Sequence, residues 1–256
     1  MKLKRLLLSL LLLLATNSHG DGNQALHIAV ASSFRPTLEK LVSRFQQQSG
    51  TSCIISSAAT GILYAQIIKG AGFDLLLAAD SWRPTRLIDE GYARAEDRHS
   101  YALGKLILVG RKGMLNNASR ASVVELLSDS GRRIALANPA TAPYGLASQQ
   151  SLEQLQLWQP TEARRITGQN AAQAFQFFTT GNTDFAFVSL AQWRNWKHRT
   201  SSSYWLLPAT LYKPLRHDAL ILGKSQQSTR AASFLRFLRS EASTTVLRED
   251  GYGVPS

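Results

Sequence analysis

Apolar residues in this chain fall in short bursts, separated by stretches where they return every three or four positions. Leu26-His27-Ile28-Ala29-Val30-Ala31 is such a burst and predicts a strand. Leu38, Leu41, Val42 and Phe45 then recur at helical spacing, and Gly50 closes that helix. Thr51 to Ser56 reads as a second strand, Thr60 to Lys69 as a helix stopped by Gly70, and Phe73-Asp74-Leu75-Leu76-Leu77-Ala78 as a third strand. The rhythm starts again at Leu106-Ile107-Leu108-Val109. It continues through Ile134-Ala135-Leu136-Ala137 and its following helix, the helical stripe Ala171, Ala174, Phe175 and Phe178, and the strand Phe185-Ala186-Phe187-Val188. Ala219-Leu220-Ile221-Leu222 and a helix over Thr229–Leu238 end the series. Strands alternating with helices imply parallel sheets covered by helices. Two such α/β units joined by two crossing segments leave a cleft at strand C-termini, where ligands bind in folds of this kind.

The first residues break this pattern. Met1-Lys2-Leu3-Lys4-Arg5 is basic, Leu6 to Leu14 is almost unbroken leucine, and Ala15-Thr16-Asn17-Ser18-His19-Gly20 is small and polar. That is the layout of a cleaved secretory signal peptide over residues 1–20, with an apolar run too short to span a bilayer. No cysteine follows it to carry a lipid. Export also bears on Cys53: as the only cysteine it can form no internal disulfide, so the core must carry stability, and its apolar surroundings predict a buried, inert thiol.

A formal charge of +12 suits steering of anions. The basic residues are scattered, apart from Trp193-Arg194-Asn195-Trp196-Lys197-His198-Arg199, which reads as a helix end and an exposed loop. No nucleic-acid partner is expected for an exported chain.

Candidate chemistry collects where strands pass into helices. The first junction is Ala31-Ser32-Ser33-Phe34-Arg35-Pro36, with serines expected at the N-cap and Pro36 in the first turn. The second is Ala58-Ala59-Thr60-Gly61, with Thr60 as cap and Gly61 allowing close approach. The third, Asn138-Pro139-Ala140-Thr141-Ala142-Pro143-Tyr144-Gly145, brings a phenol hydroxyl next to a helix start, and the fourth, Gly168-Gln169-Asn170-Ala171, is capped by Asn170. Each offers free backbone N–H groups at a positive dipole end, which is a natural anion site. Capping alone explains any one of them; four such junctions split between two units favour a shared anion site.

Enzyme constellations do not emerge. His19, His27, His99, His198 and His217 lie far apart without metal-ligand spacing, and no nucleophile elbow or phosphate loop is present. Asp74 and Asp80 flank a strand end, where opening the strand and capping the next helix account for them. No catalytic activity and no cofactor are expected.

At these same junctions the sequence resembles the periplasmic molybdate-binding proteins of ABC transporters, over essentially the whole chain after the signal. The resemblance rests on Ala29-Val30-Ala31-Ser32-Ser33-Phe34, Phe73 to Asp80, Asn138-Pro139 with Ala142-Pro143-Tyr144-Gly145, Gly168 to Ala174, Gly181-Asn182 before Phe185 to Val188, and Asp218 to Leu222. It implies an α/β type II periplasmic-binding-protein fold: lobe 1 over 21–102 and 215–256, lobe 2 over 103–214, a two-segment hinge, and the ligand in the cleft. It implies a monomer that captures molybdate or tungstate for a membrane permease. It also implies an anion held by neutral groups: Ser33 with Ser32, Thr60 with the Gly61 amide, Tyr144, the Ala171 amide with Asn170 fixing the helix start, and a hydroxyl position near Ser189. Direct contacts to molybdate are expected from Ser33, Thr60, Tyr144 and Ala171. The family usually has serine where Thr60 stands and glycine or serine where Ala59 stands. The extra methyl reshapes the pocket, so sulfate, phosphate or another small oxyanion remains an alternative ligand, as does a sensor role without transport.

Overall fold

The computed structural model describes residues 25–255, so the expected signal segment lies outside the described residues. The chain builds two five-stranded sheets. The first contains β1 (Leu26–Ala31), β2 (Cys53–Ala58), β3 (Leu75–Leu77), β4 (Arg98–Gly104) and β10 (Leu215–Ile221), in the order β2-β1-β3-β10-β4. The second contains β5 (Leu106–Arg111), β6 (Ile134–Ala137), β7 (Arg165–Gly168), β8 (Phe185–Ser189) and β9 (Ser202–Leu206), in the order β7-β6-β8-β5-β9.

Both sheets are mixed, where the strand–helix alternation predicts parallel ones. β1 pairs in parallel with β2 and β3, and β6 with β7 and β8. β10 runs antiparallel to β3 and β4, and β5 antiparallel to β8 and β9. The antiparallel strands are those next to the crossings between sheets. The chain leaves the first sheet between Gly104 and Leu106, and returns to it after β9 ends at Leu206 and before β10 starts at Leu215. A strand entering from the neighbouring unit need not follow the direction set by a helical crossover.

Helices cover both faces of each sheet. In the first unit α1 (Arg35–Ser49), α8 (Ser228–Leu238) and α9 (Glu241–Glu249) bury Leu38, Leu41, Phe45, Phe234, Leu238 and Leu247 against one face. α2 (Thr60–Ile68) and α3 (Trp82–Asp89) bury Leu63, Ile67 and Leu87 on the other. The second unit uses α4 (Arg120–Ser128) and α5 (Pro143–Gln154) on one face, and α6 (Ala171–Thr179) and the short α7 (Leu190–Arg194) on the other. Between the units the contact residues are small. Ala59 packs with Ala137, Ala142 and Ala174, so two helix starts approach closely there.

Cys53 is half-buried rather than buried; desolvation pushes its thiol up to about 11, which keeps it inert. Trp193 and Trp196 are likewise not free in solvent: they pack on Tyr204 and on Phe175 and Phe178. Among the described residues no helix is long and apolar enough to cross a membrane.

Candidate functional site

All four junctions of the sequence analysis open helices at the seam between the two units. At the first two the local geometry differs from the expected caps. At the start of α1 the N-cap is Phe34, without a side-chain capping bond, not a serine. The β1 chain turns one residue later than the serine pattern suggests, and Ser32 and Ser33 sit in that turn. The Ser32 amide donates to Ala58 O (2.9 Å), and its hydroxyl accepts from the Ala172 amide across the seam (3.3 Å). Ser33 is 2% exposed. Its carbonyl accepts from the Tyr252 hydroxyl (3.2 Å) and from Ser189 Oγ (3.4 Å), while its own Oγ has no partner among the described residues.

The N-cap of α2 is Ala59, which moves Thr60 into the first helical position. Thr60 is fully buried, and its Oγ1 accepts from the Ala79 amide (3.2 Å). An oxygen that accepts there keeps its own proton for another acceptor. The Gly61 amide, expected to face a ligand, instead donates to Thr141 O in the second unit (2.8 Å). One N–H has one proton, so Gly61 serves contact between the units. A Cβ at Gly61 would lie 2.9 Å from that carbonyl, so the approach needs glycine.

α5 opens at N-cap Ala142, with Pro143 and Tyr144 in its first turn. The Tyr144 side chain turns away from the helix start. Its hydroxyl lies 3.5 Å from His217 Nε2 and against Gly104, at the crossing strands. The amide of Tyr144 stays at the helix start, where it has no acceptor within the helix. α6 opens as expected: Asn170 Oδ1 accepts from the Gln173 amide (3.0 Å), which leaves Ala171 at the first helical position. Ser189 is the N-cap of α7, in a capping box with Gln192. Fully buried, it borders the site through Ser33.

Sequence reasoning missed the groups that hold these junctions together. Arg83 is 5% exposed; it pairs with Asp80 (2.5 Å) and donates across the seam to Ala140 O (3.2 Å). Asp80, besides this pair, accepts from the Arg83 amide (3.0 Å), although the N-cap of α3 is Ser81 and Asp80 stands one residue before it. Gln192 holds the Ala171 carbonyl (3.0 Å). His217 stands between Tyr101 and Tyr144, at 3.4 and 3.5 Å. The roles of Arg83, Gln192 and His217 do not announce themselves locally, because Ala140, Ala171 and the two tyrosines on which they act lie far away in sequence.

The site is electrically neutral apart from the compensated Arg83–Asp80 pair. Desolvation raises the phenols of Tyr101, Tyr144 and Tyr252 well above their usual range, so they stay protonated. Desolvation also lowers His217 to about 3. A base whose folded pKa is depressed lends stability that is present above its unfolded pKa and lost as pH falls toward the folded one. Here that window runs from 6.5 down to about 3, at roughly 1.4 kcal/mol per pH unit. In urea unfolding between pH 6 and 5, His217→Gln should lose stability less steeply than the parent, by about that amount per unit. Parallel slopes would show that His217 is not held neutral by burial. The other histidines cancel in this comparison.

Among the described residues no group of three or more His, Cys, Asp or Glu is placed to hold a metal ion. Buried hydroxyls and helix-start amides, converging from both units without a free cation, make a site suited to a small anion with several acceptor oxygens.

Comparison with known proteins agrees with this chemistry. Residues 26–253 match the family described as bacterial extracellular solute-binding protein. The chain is 36% identical to the molybdate-binding protein ModA of Azotobacter vinelandii over 228 residues, covering 89% of each chain. It is 31% identical to the molybdate-binding protein ModA of Rhodobacter capsulatus, covering 88% of this chain and 86% of the relative. The solved structure of the Azotobacter vinelandii periplasmic molybdate-binding protein superposes with a TM-score of 0.84 at 32% identity, covering 90% of this chain and all of that one.

Proposed function

The chain belongs to the family of bacterial extracellular solute-binding proteins, and from that membership we propose that it is the molybdate-binding component of an ABC transporter. It works outside the cytoplasmic membrane as a monomer, and it delivers its anion to a membrane permease. Its two lobes are built on the two sheets and divide near residues 103 and 215. The observation that carries this reading is the convergence of neutral donors from both units at one seam, in a chain 36% identical to a named molybdate-binding protein.

The donors divide between the units. Ser33 offers its hydroxyl and Thr60 the proton left free by its bond from Ala79. Ser32 Oγ also accepts, from Ala172, and so keeps a proton to give. From the second unit come the amides of Tyr144 and Ala171, with Asn170 fixing the start of α6. Gly61 contributes the close approach of the units rather than a contact to the anion. Ser189 supports Ser33 from behind.

A tetrahedral dianion accepts from every direction, so donors alone satisfy it, and helix dipoles offset its charge without a counter-ion. A protonated anion would bring hydrogens against these donors and bind poorly. Size selects as well: a smaller sulfate cannot reach donors on both walls at 2.7–3.2 Å, the ordinary hydrogen-bond range. Tungstate has the same shape and charge as molybdate and fills the same site. Closure of the lobes, held by Gly61–Thr141 and Ser32–Ala172, is the signal the permease reads.

Ser33→Ala tests the anion site directly, since it removes one donor from a charged acceptor without filling space. A hydrogen bond of that kind contributes about 1.5–3 kcal/mol, so molybdate affinity should fall roughly ten- to a hundredfold by calorimetry. Unchanged affinity would mean that Ser33 only shapes the turn.

A further inference from the structure

A second cavity lies at the far end of the second unit, away from the seam. α6 starts at Ala171 beside the proposed oxyanion site and ends at Thr179 in the wall of this cavity. Its nine residues put about 13 Å between the two places. It is a hollow open to solvent, with a volume of about 670 Å³.

Its walls carry one sign of charge. Arg111 and Lys112 come from the end of β5, and Lys197 and His198 from the segment after α7. No acidic residue lines it, and none of Arg111, Lys112 and Lys197 is in an ion pair among the described residues. Basic residues without a carboxylate at hand are common in this chain, and what sets these apart is that they face one hollow with no acidic residue in its walls. Exposed as they are, these cations repel one another only weakly, and together they draw an anion to the hollow.

Two further features shape the ligand. Thr183 lines the cavity at 3% exposure, and its hydroxyl has no hydrogen-bond partner among the described residues. Buried hydroxyls are almost always bonded, so this one, just beneath the cavity wall, keeps a donor and an acceptor that a turn of its side chain would present. On the apolar side stand Phe178 and Trp196, packed edge to face with each other and fixed by Phe175. The carboxyl end of α6 disfavours an anion here only in part, because the carbonyls of Gln176, Phe177 and Phe178 are taken by the amides of Thr180, Asn182, Thr183 and Gly181, and the wall cations must outweigh what is left of its dipole. The frame is also fixed, because the Lys112 amide is bonded to Ser201 O (3.1 Å) and Ser203 Oγ donates to Arg111 O (3.0 Å).

We infer that this cavity is a second ligand site, for an organic phosphate of the nucleoside monophosphate class. The phosphate lies among Arg111, Lys112 and Lys197 with Thr183 beneath it, and the base lies against Trp196. The site is independent of molybdate capture and stands whether or not that reading holds.

The test titrates the molybdate-saturated full mature protein with adenosine 5′-monophosphate, following the Trp196 indole signal by NMR, which is assigned by its loss in Trp196→Phe. A saturable shift is expected, with inorganic phosphate and adenosine each binding about tenfold more weakly. Arg111→Gln and Lys197→Gln should each weaken the nucleotide about tenfold, as loss of a charge-assisted bond does, and Thr183→Val severalfold. All three should melt as the parent does and keep its molybdate affinity within twofold. No shift at 10 mM nucleotide, or a shift indifferent to the charge removals, would overturn the site. Equal binding of bare phosphate would overturn its organic class.

Discussion

Ala171→Pro should abolish high-affinity molybdate binding while leaving the fold intact. Proline removes the amide that opens α6 and puts a ring carbon where the proton pointed. The position otherwise tolerates it. The first helical residue has no acceptor for its N–H within the helix, so proline breaks no intrahelical bond there. Asn170 before it is extended (φ −153°, ψ 174°), which is the conformation a residue preceding proline adopts. The lost bond to a charged ligand is about 2–3 kcal/mol, and steric blockage adds to it, so affinity should fall about a hundredfold or more. The melting temperature without ligand should barely move. Affinity within threefold of the parent, in a folded variant, would show that the start of α6 does not bind the anion.

Gly61→Ala should have an effect of similar size by a different route. The added Cβ would lie 2.9 Å from Thr141 O and 3.1 Å from Thr141 Cα, both backbone atoms that cannot swing aside. It also meets the guanidinium of Arg83, which is itself held by Asp80 and Ala140. The second unit must therefore stand off, and the amides of Tyr144 and Ala171 move out of reach of an anion resting on Ser33 and Thr60. Losing those two bonds costs about 3 kcal/mol or more, roughly a hundredfold. Alanine is the better helix former by up to about 1 kcal/mol, so the first unit should be no less stable. Small-angle scattering would then show molybdate contracting the parent but not the variant. A variant that contracts and binds like the parent would remove Gly61 from the closing mechanism.

Both predictions depend on features visible in the sequence to different degrees. The central strands were legible because they are buried on both faces and read as unbroken apolar runs: Leu26–Ala31, Leu106–Arg111 and Phe185–Ser189 all match their bursts. The strands that the pattern does not reveal are β4, β7 and β9, each at a sheet edge. Arg98-His99-Ser100 in β4 and Arg165-Ile166-Thr167 in β7 are only partly buried, apart from the exposed Thr167, and all but Ile166 carry polar side chains, so no apolar run marks them. β2, also an edge strand, was placed two residues early for the same reason. Strand direction was not legible either, since alternation records burial and not orientation.

For the site, composition at helix starts was informative and its detailed assignment was not. Asn170 caps α6 as its residue type suggests. At α1 neither serine caps the helix and the N-cap is Phe34, because the turn after β1 is set by the Ser32–Ala58 and Phe34–Ala31 backbone bonds rather than by side chains. Tyr144 stands out in the sequence for its hydroxyl, which the structure places beside His217, Gly104 and Ser189, while its amide stays at the start of α5. Arg83 gave no sign in sequence, because its importance lies in the carbonyl of Ala140, 57 residues away.

The central claim is that neutral donors from both units enclose a tetrahedral dianion of molybdate size. Calorimetric titration of the mature protein with molybdate, followed by sulfate on a fresh sample, tests it most directly. The expected result is one molybdate bound per chain, with sulfate weaker by at least about a hundredfold, the equivalent of losing one or two hydrogen bonds to the anion. No heat with molybdate, or sulfate binding as tightly as molybdate, would contradict it.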